Sequence, residues 1–204
     1  MKTQRVLAPL ELLWALIGLV LTIAATWMET FIVNAPWDWG QMGMQVRSLG
    51  VTFQVGAVLL TGCLGGKNAA ALSQIAYLFL GLALFQVFEL PIFTQGGGLS
   101  YVREPGFGYL IGFIPAGWVC GYFAFQEAPK LERLALSSLS GLGIIHGCGL
   151  LYLTVASLLG WLQTAGASYW SLLLTYSVHP LPGQLAVVCA VAVIAFVMRH
   201  ILFY

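Results

Sequence analysis

Long apolar runs, separated by short polar or proline-containing segments, dominate this chain. Six stretches approach the roughly 20 mostly apolar residues that a helix needs to cross a bilayer, namely residues 7–29, 48–66, 68–90, 107–126, 136–163 and 182–203. The second is the weakest, because Thr52, Gln54 and several glycines dilute it. Since the runs are long and do not alternate with polar positions, they are typical of helices rather than barrel strands.

Composition points to the same class of protein. Hydrophobic residues make up 60% of the chain, charged residues 7%, and the mean hydropathy is +0.91. A soluble domain has about a quarter of its residues charged. We therefore expect an all-α membrane protein with six transmembrane helices in a single domain, residues 1–204. The net charge of +1 and the lack of a basic run argue against a nucleic-acid partner.

The distribution of basic residues predicts an orientation in the membrane. Alternate loops on one side carry Lys2, Arg5, Lys67, Lys130, Arg133 and Arg199, whereas the other side carries Arg47 and Arg103. By the positive-inside rule, both termini are cytoplasmic in a multi-pass protein of the plasma membrane. In an alternative interpretation, the first apolar stretch is a secretory signal ending at Ala24–Ala25, which leaves five spans.

Three unusual loops share the predicted outer face: residues 34–46, 94–113 and 177–184. Amide side chains such as Gln54, Gln95 and Gln184 can donate and accept at once, which suits a ligand with urea-like groups. The guanidinium of Arg103 offers a fork for a carboxylate, or else pairs with Glu104 or a lipid phosphate. Aromatic residues nearby either wall a pocket or form an interfacial belt. These are Trp37, Trp39, Tyr101, Phe107, Tyr109 and Tyr176.

Small residues recur at four-residue spacing in several spans. Gly18, Thr22 and Thr26 form such a row in the first span, and a longer row begins at Gly108 and Gly112 in the fourth. Small residues let helices approach closely. The rows therefore predict either packing within the bundle or docking of a partner membrane protein.

Enzyme and metal motifs are weak. The glycines of "GFGYLIGF" are spaced wrongly for a dinucleotide fingerprint and open a membrane helix. His146, His179 and His200 are dispersed and lack the carboxylate spacing of a metal face. We expect no catalytic residue, cofactor or metal. His146 lines a cavity or bonds to a neighbouring helix. An intramembrane enzyme or a structural subunit would depend on Glu89 and His146.

Three blocks of this sequence resemble the BioY family, the biotin-binding S components of energy-coupling-factor (ECF) transporters. The first block, "VTFQVGAVLLTGCLGGKNAAALSQIAYLFLGL" (Val51–Leu82), is similar to the family's Ser-x-Gln and glycine-rich second helix. The second, "FTQGGGLSYVREPGFGYLIGF" (Phe93–Phe113), is similar to its double glycine and Gly-Pro-x-Gly-Gly-Tyr-Leu-x-Gly-Phe motif. The third, "HPLPGQL" (His179–Leu185), is similar to its Pro-x-x-Pro-Gly-Asp motif.

The resemblance implies an ECF S-component-like bundle of six helices that captures biotin at the outer face. A membrane T component and two cytoplasmic ATPases would energise translocation, or the protein would act as a solitary transporter. Gln184 stands where the family usually has aspartate, and Val187 stands where it often has lysine. The alternative that the protein is an S component for another vitamin therefore remains. The predicted biotin-binding residues are Gln54, Thr94, Gln95, Tyr101, Arg103, Tyr109, His146 and Gln184.

Two further expectations follow from departures of this sequence from the family pattern. Loss of the lysine leaves Arg103 as the expected partner of the biotin carboxylate. The first helix lacks the Ala-x-x-x-Ala that docks the T component, and Gly18-x-x-x-Thr22 is its expected substitute.

Overall fold

The computed structural model describes residues 9–33, 43–88, 92–93, 96–161 and 168–203. This part of the chain is mostly helical. Its elements, in chain order, are α1 (Pro9–Thr26), β1 (Glu29–Val33), β2 (Val46–Thr52), α2 (Gln54–Phe88), a 3₁₀ helix (Leu99–Arg103), α3 (Phe107–Ala124), α4 (Leu131–Leu158), α5 (Tyr169–Leu173), a π-helical turn (Leu174–Val178) and α6 (Leu181–Phe203).

Helix α2 folds back on itself at Gly66. Gly66 has φ 81° and ψ 177°, a conformation that is essentially restricted to glycine. The Nε2 of Gln54 lies 2.8 Å from the hydroxyl of Tyr77, which a straight helix would place about 35 Å away. A Cβ built on Gly18 would meet both Thr61 and Ser73. Residues 54–65 and 67–88 are therefore two antiparallel arms.

In the described part of the chain, five helices are long and apolar enough to cross a membrane. They begin and end close to the predicted spans, and α2 covers most of both the second and the third predicted span. The arm of residues 54–65 is about 18 Å long, shorter than the roughly 30 Å hydrocarbon core. The count of six spans, like the orientation of the termini, stays a prediction.

A two-stranded antiparallel sheet interrupts the expected all-α architecture. β1 pairs with β2 in a register that places Glu29 opposite Thr52 and Phe31 opposite Ser48. The β-branched residues Val46, Val51 and Thr52 favour an extended strand. The prediction of a span over 48–66 was therefore wrong at its start, because the helix begins only at Gln54.

The small residues of α3 allow close packing inside the bundle. A Cβ at Gly112 would lie 3.0 Å from the Cβ of Cys148 and 3.1 Å from the Cα of Ile145, and a Cβ at Gly121 would lie 2.4 Å from the backbone nitrogen of Lys67. The row that begins at Gly108 and Gly112 thus contacts α4, and a second row, Gly117 and Gly121, contacts α2 near its turn. The interpretation as packing within the bundle applies to both rows.

The row on α1 is also internal. Gly18 and Thr22 are buried, and Thr22 is 0% exposed. The Nε2 of Gln74 donates to the Thr22 hydroxyl at 3.0 Å, and a Cβ at Gly18 would lie 2.4 Å from the side chain of Thr61. In this structure α2 of the same chain covers both residues, and docking of a partner by Gly18 and Thr22 stays a prediction.

Basic side chains gather at one end of the bundle, which we call the basic end. Lys67 lies 5.2 Å from the ring of Tyr122, Arg133 forms an ion pair with Glu127, and Arg199 donates to the Ala124 carbonyl at 2.7 Å. Arg103 precedes the start of α3 and so belongs to the opposite end.

Candidate functional site

The end of the bundle opposite the basic end contains a cavity of about 340 Å³. This volume lies within the range of about 300–1,000 Å³ that small-molecule sites occupy. The cavity is lined by Gly50, Val51, Thr52, Gln54, Val55, Tyr101, Gly106, Tyr109, Leu110, Phe113, Ile145, Thr175, Tyr176, Pro180 and Gln184.

Several separate segments build this cavity. β2 and the start of α2 supply Thr52 and Gln54, the 3₁₀ helix and the start of α3 supply Tyr101 and Tyr109, and the start of α6 supplies Gln184. Tyr101 is held inward because its ring packs 4.8 Å from that of Phe93. All three segments that carry the family resemblance therefore contribute to one cavity.

Gln54 is fixed by a buried hydrogen-bond network that joins the two arms of α2 to α1. Its Nε2 donates to the Tyr77 hydroxyl at 2.8 Å, and this hydroxyl lies 3.1 Å from that of Thr26. Gln54, Tyr77 and Thr26 are each at most 9% exposed. Because a buried amide needs partners, this network sets the direction in which Gln54 faces the cavity.

Among the described residues, the side chain of Gln184 has a hydrogen-bond partner on the facing helix. Its Oε1 lies 2.7 Å from the Nε2 of His146, which belongs to the middle of α4. His146 itself is not among the residues that line the cavity, and its ring is 5.8 Å from that of Tyr109, edge to face. The sequence prediction of His146 as a residue bonded to a neighbouring helix matches this contact.

Tyr109 and Tyr176 form an aromatic wall. Their rings are stacked with centroids 6.0 Å apart. The Tyr109 hydroxyl lies 2.6 Å from the Ser177 hydroxyl, so its polar atom is already bonded at the edge of the cavity. Flat apolar walls of this kind suit a ring system with a few polar groups.

The cavity is polar without being charged. Among the described residues that line it there is no Lys, Arg, Asp or Glu. Arg103 is exposed and does not line the cavity, although it lies between the lining residues Tyr101 and Gly106 in the sequence. Thr94 and Gln95 lie outside the described residues.

Several lining residues were missed at the level of sequence. Thr175 belongs to the π-helical turn Leu174–Val178, a kind of irregularity that often marks functional sites. Its departure from helical geometry has no clear signal in the sequence. Val55, Phe113 and Ile145 line the cavity too. In a membrane helix, the sequence alone does not indicate whether an apolar residue faces lipid, another helix or a cavity. In the described ranges, no group of three His, Cys, Asp or Glu residues is placed to hold a metal ion.

The chain is similar to known proteins in both sequence and fold. The model of the BioY family matches residues 3–203. A 21.2 kDa uncharacterized protein of Cyanophora paradoxa is 33% identical over 155 residues, 76% of each chain. The probable biotin transporter BioY of Lysinibacillus sphaericus is 44% identical over 107 residues, 52% of each chain.

Among solved structures, the S component for biotin from an ECF-type ABC transporter shares the fold. The TM-score is 0.65 at 17% sequence identity, and the match covers 93% of this chain and 90% of that one. The helical bundle with its hairpin is thus a known architecture.

Proposed function

This chain belongs to the BioY family, and we propose that it is an S component that captures biotin in the cavity at the end of the bundle opposite the basic end. The family is one of transporter components, and the chain is not an enzyme. Biotin is the substrate named for the relative from Lysinibacillus sphaericus and for the structural neighbour.

The observation that carries this proposal is the convergence of two amides and an aromatic wall on one cavity. Gln54 and Gln184 both line it, together with Tyr109 and Tyr176. The ureido ring of biotin has a carbonyl and two N–H groups, which primary amides can match on both counts. The thioether ring and the aliphatic chain are apolar and fit the remaining walls.

The position of the charges supports an outward-facing cavity. Lys67, Arg133 and Arg199 lie at the basic end, far from the cavity, so the positive-inside rule puts the basic end in the cytoplasm. In this orientation, a six-span bundle in the plasma membrane takes up biotin from outside the cell.

Energy for transport comes from partner subunits in this proposal. We expect a membrane T component and two cytoplasmic ATPases, as the family resemblance implies. The T component would dock at the row of Gly18 and Thr22 only after α2, which covers this row, moves away. The alternative is a solitary transporter that acts without ATPases. Co-purification followed by mass spectrometry of the associated proteins distinguishes the two modes of transport.

A different vitamin is the second candidate, and one observation favours it. Gln184 lines the cavity where the family usually has aspartate. An amide keeps an acceptor oxygen but adds N–H donors, so the cavity differs from the family pattern at a lining position.

Calorimetric titration of the purified protein in lipid nanodiscs tests both candidates. We expect saturable biotin binding that unlabelled thiamine, riboflavin and folate do not displace. A protein that binds one of these vitamins and no biotin would overturn the biotin assignment. Mass spectrometry of small molecules that co-purify gives an independent identification of the ligand.

A further inference from the structure

The contact between His146 and Gln184 restricts how the cavity amide is oriented. The Nε2 of His146 lies 2.7 Å from Oε1 of Gln184. The other ring nitrogen, Nδ1, is buried and has no hydrogen-bond partner among the described residues. The two nitrogens of one imidazole therefore have very different environments.

This difference selects one tautomer of His146. A neutral imidazole has one N–H donor and one acceptor nitrogen. If Nδ1 carried the proton, a buried N–H would have no acceptor, and orphaned buried N–H groups are rarer in proteins than under-satisfied acceptors. The proton therefore belongs on Nε2, which donates to Oε1 of Gln184.

We propose that His146 is a positioning residue that fixes the Gln184 amide with its oxygen turned to the imidazole and its N–H groups turned to the cavity. The cavity then selects a ligand with a hydrogen-bond acceptor at this place, such as the carbonyl oxygen of a ureido ring. This inference rests on the proposed function for the identity of the ligand. It goes beyond that function because it states with which ligand atom Gln184 forms a hydrogen bond.

The arrangement gives the cavity a donor and an acceptor on different segments. Nε2 of Gln54 is directed to Tyr77, so Oε1 of Gln54 is available as an acceptor for a ligand N–H. Gln184 supplies the donor. An ionised aspartate at position 184 could only accept hydrogen bonds. It would therefore bind a ligand N–H group instead of a carbonyl oxygen.

Two biotin analogues test whether position 184 donates a hydrogen bond to the ureido oxygen or accepts one from a ureido N–H. 2-Thiobiotin replaces the ureido oxygen with sulfur, a weaker acceptor, and keeps both N–H groups and the same overall charge as biotin. N1′-Methylbiotin removes one N–H donor and keeps the carbonyl. The measured quantity is the ratio of each analogue's Kd to the Kd of biotin, obtained by calorimetry in nanodiscs.

In the parent protein we expect 2-thiobiotin to bind about fivefold to tenfold more weakly than biotin, the size of one hydrogen bond. His146→Leu removes the ring donor at similar volume and frees the amide to rotate, so the ratio should fall to about twofold. His146→Gln places an amide N–H near the position of Nε2 and should retain the parent ratio. The N1′-methylbiotin ratio should stay the same in all three proteins.

A purely structural role for His146 would lower the affinities for biotin and 2-thiobiotin in parallel. An unchanged 2-thiobiotin ratio in His146→Leu, in a protein that binds biotin, would therefore overturn the inference. If the parent binds no biotin at all, the proposed function fails instead.

The ring ¹⁵N chemical shifts of His146 provide a measurement that needs no variant at position 146. Signals from His179 and His200 are removed by substituting those two residues. A protonated Nε2 and an unprotonated Nδ1 are expected, and a protonated Nδ1 would overturn the inference even if His146→Leu fails to fold.

Discussion

The amide of Gln54 donates to the hydroxyl of Tyr77 across 2.8 Å, although 23 residues separate them in the chain. This bond exists because Gly66 reverses the direction of α2 and brings the two arms side by side. The same hydroxyl lies 3.1 Å from that of Thr26. One tyrosine thus connects a residue of the cavity to two neighbouring helical segments.

Tyr77→Phe should weaken both biotin binding and stability. The substitution leaves Gln54 and Thr26 without their common partner, and an unsatisfied buried polar group costs about 1–3 kcal/mol. We expect a lower midpoint of thermal unfolding and a Kd for biotin raised by about fivefold or more. Tyr122→Phe, at the basic end, is the matched control. Equal Kd values for Tyr77→Phe and the parent would show that Gln54 does not need this network.

Gly66→Ala should destabilise the fold through the backbone alone. A Cβ at position 66 would approach nothing closer than 3.8 Å, so there is room for it. The conformation of Gly66 is nevertheless one that residues with a Cβ adopt at a cost of about 1–3 kcal/mol. We expect a lower unfolding midpoint in detergent. Gly143→Ala, on an open helical surface of α4, should leave the midpoint unchanged or raise it.

Gly18→Val tests whether the row on α1 is internal. A Cβ at Gly18 would lie 2.4 Å from Thr61, and overpacking of this kind costs about 1–3 kcal/mol. We expect reduced stability of the isolated protein, measured before any partner is added. Gly147→Val, whose Cβ would meet nothing within 4 Å, is the control. A fully stable Gly18→Val protein that no longer co-purifies with a T component would support the predicted docking role.

Much of this architecture could be predicted from apolar runs, because the bilayer requires long helices whose backbone groups are satisfied internally. The start of α2 could not. Residues 48–53 are apolar enough for a span, yet pairing with β1 gives their backbone partners outside a helix. The reversal at Gly66 falls at the boundary that hydropathy predicted between residues 48–66 and 68–90, whereas the hairpin of β1 and β2 has no signature in hydropathy.

The candidate site was predicted better by side-chain chemistry than by charge. Gln54, Tyr101, Tyr109 and Gln184 all line the cavity, because uncommon polar and aromatic groups in an apolar chain cluster where a ligand or a network needs them. Arg103 is exposed and does not line the cavity, so its role at the biotin carboxylate stays a prediction.

Gln184→Ala and Gln95→Ala should each weaken biotin binding. Gln184→Ala removes the amide that lines the cavity, and the loss of one or two hydrogen bonds corresponds to about a fivefold to fiftyfold increase in Kd. The prediction for Gln95 rests on the sequence, since it lies outside the described residues. Gln126→Ala, at the basic end, should bind biotin like the parent. Unchanged titrations for both Gln184→Ala and Gln95→Ala would refute the site assignment.

Arg103→Ala examines the role of the carboxylate. No charged residue lines the described part of the cavity, and an unpaired buried carboxylate is costly, so the valerate group of biotin should remain near the solvent. An exposed ion pair contributes about 0–1 kcal/mol. We therefore expect Arg103→Ala to raise the Kd for biotin by at most about fivefold and to leave the Kd for biotinamide unchanged.

The comparison of the two ligands separates this local effect from a general one. Both have the same rings and chain, and they differ in the charge of the terminal group. Since Arg103 follows Tyr101 by two residues in the 3₁₀ helix, a disturbance of that helix would move a lining side chain and weaken both ligands alike. Equal losses for biotin and biotinamide would therefore exclude a contact between Arg103 and the carboxylate, and Arg103→Lys should then restore neither.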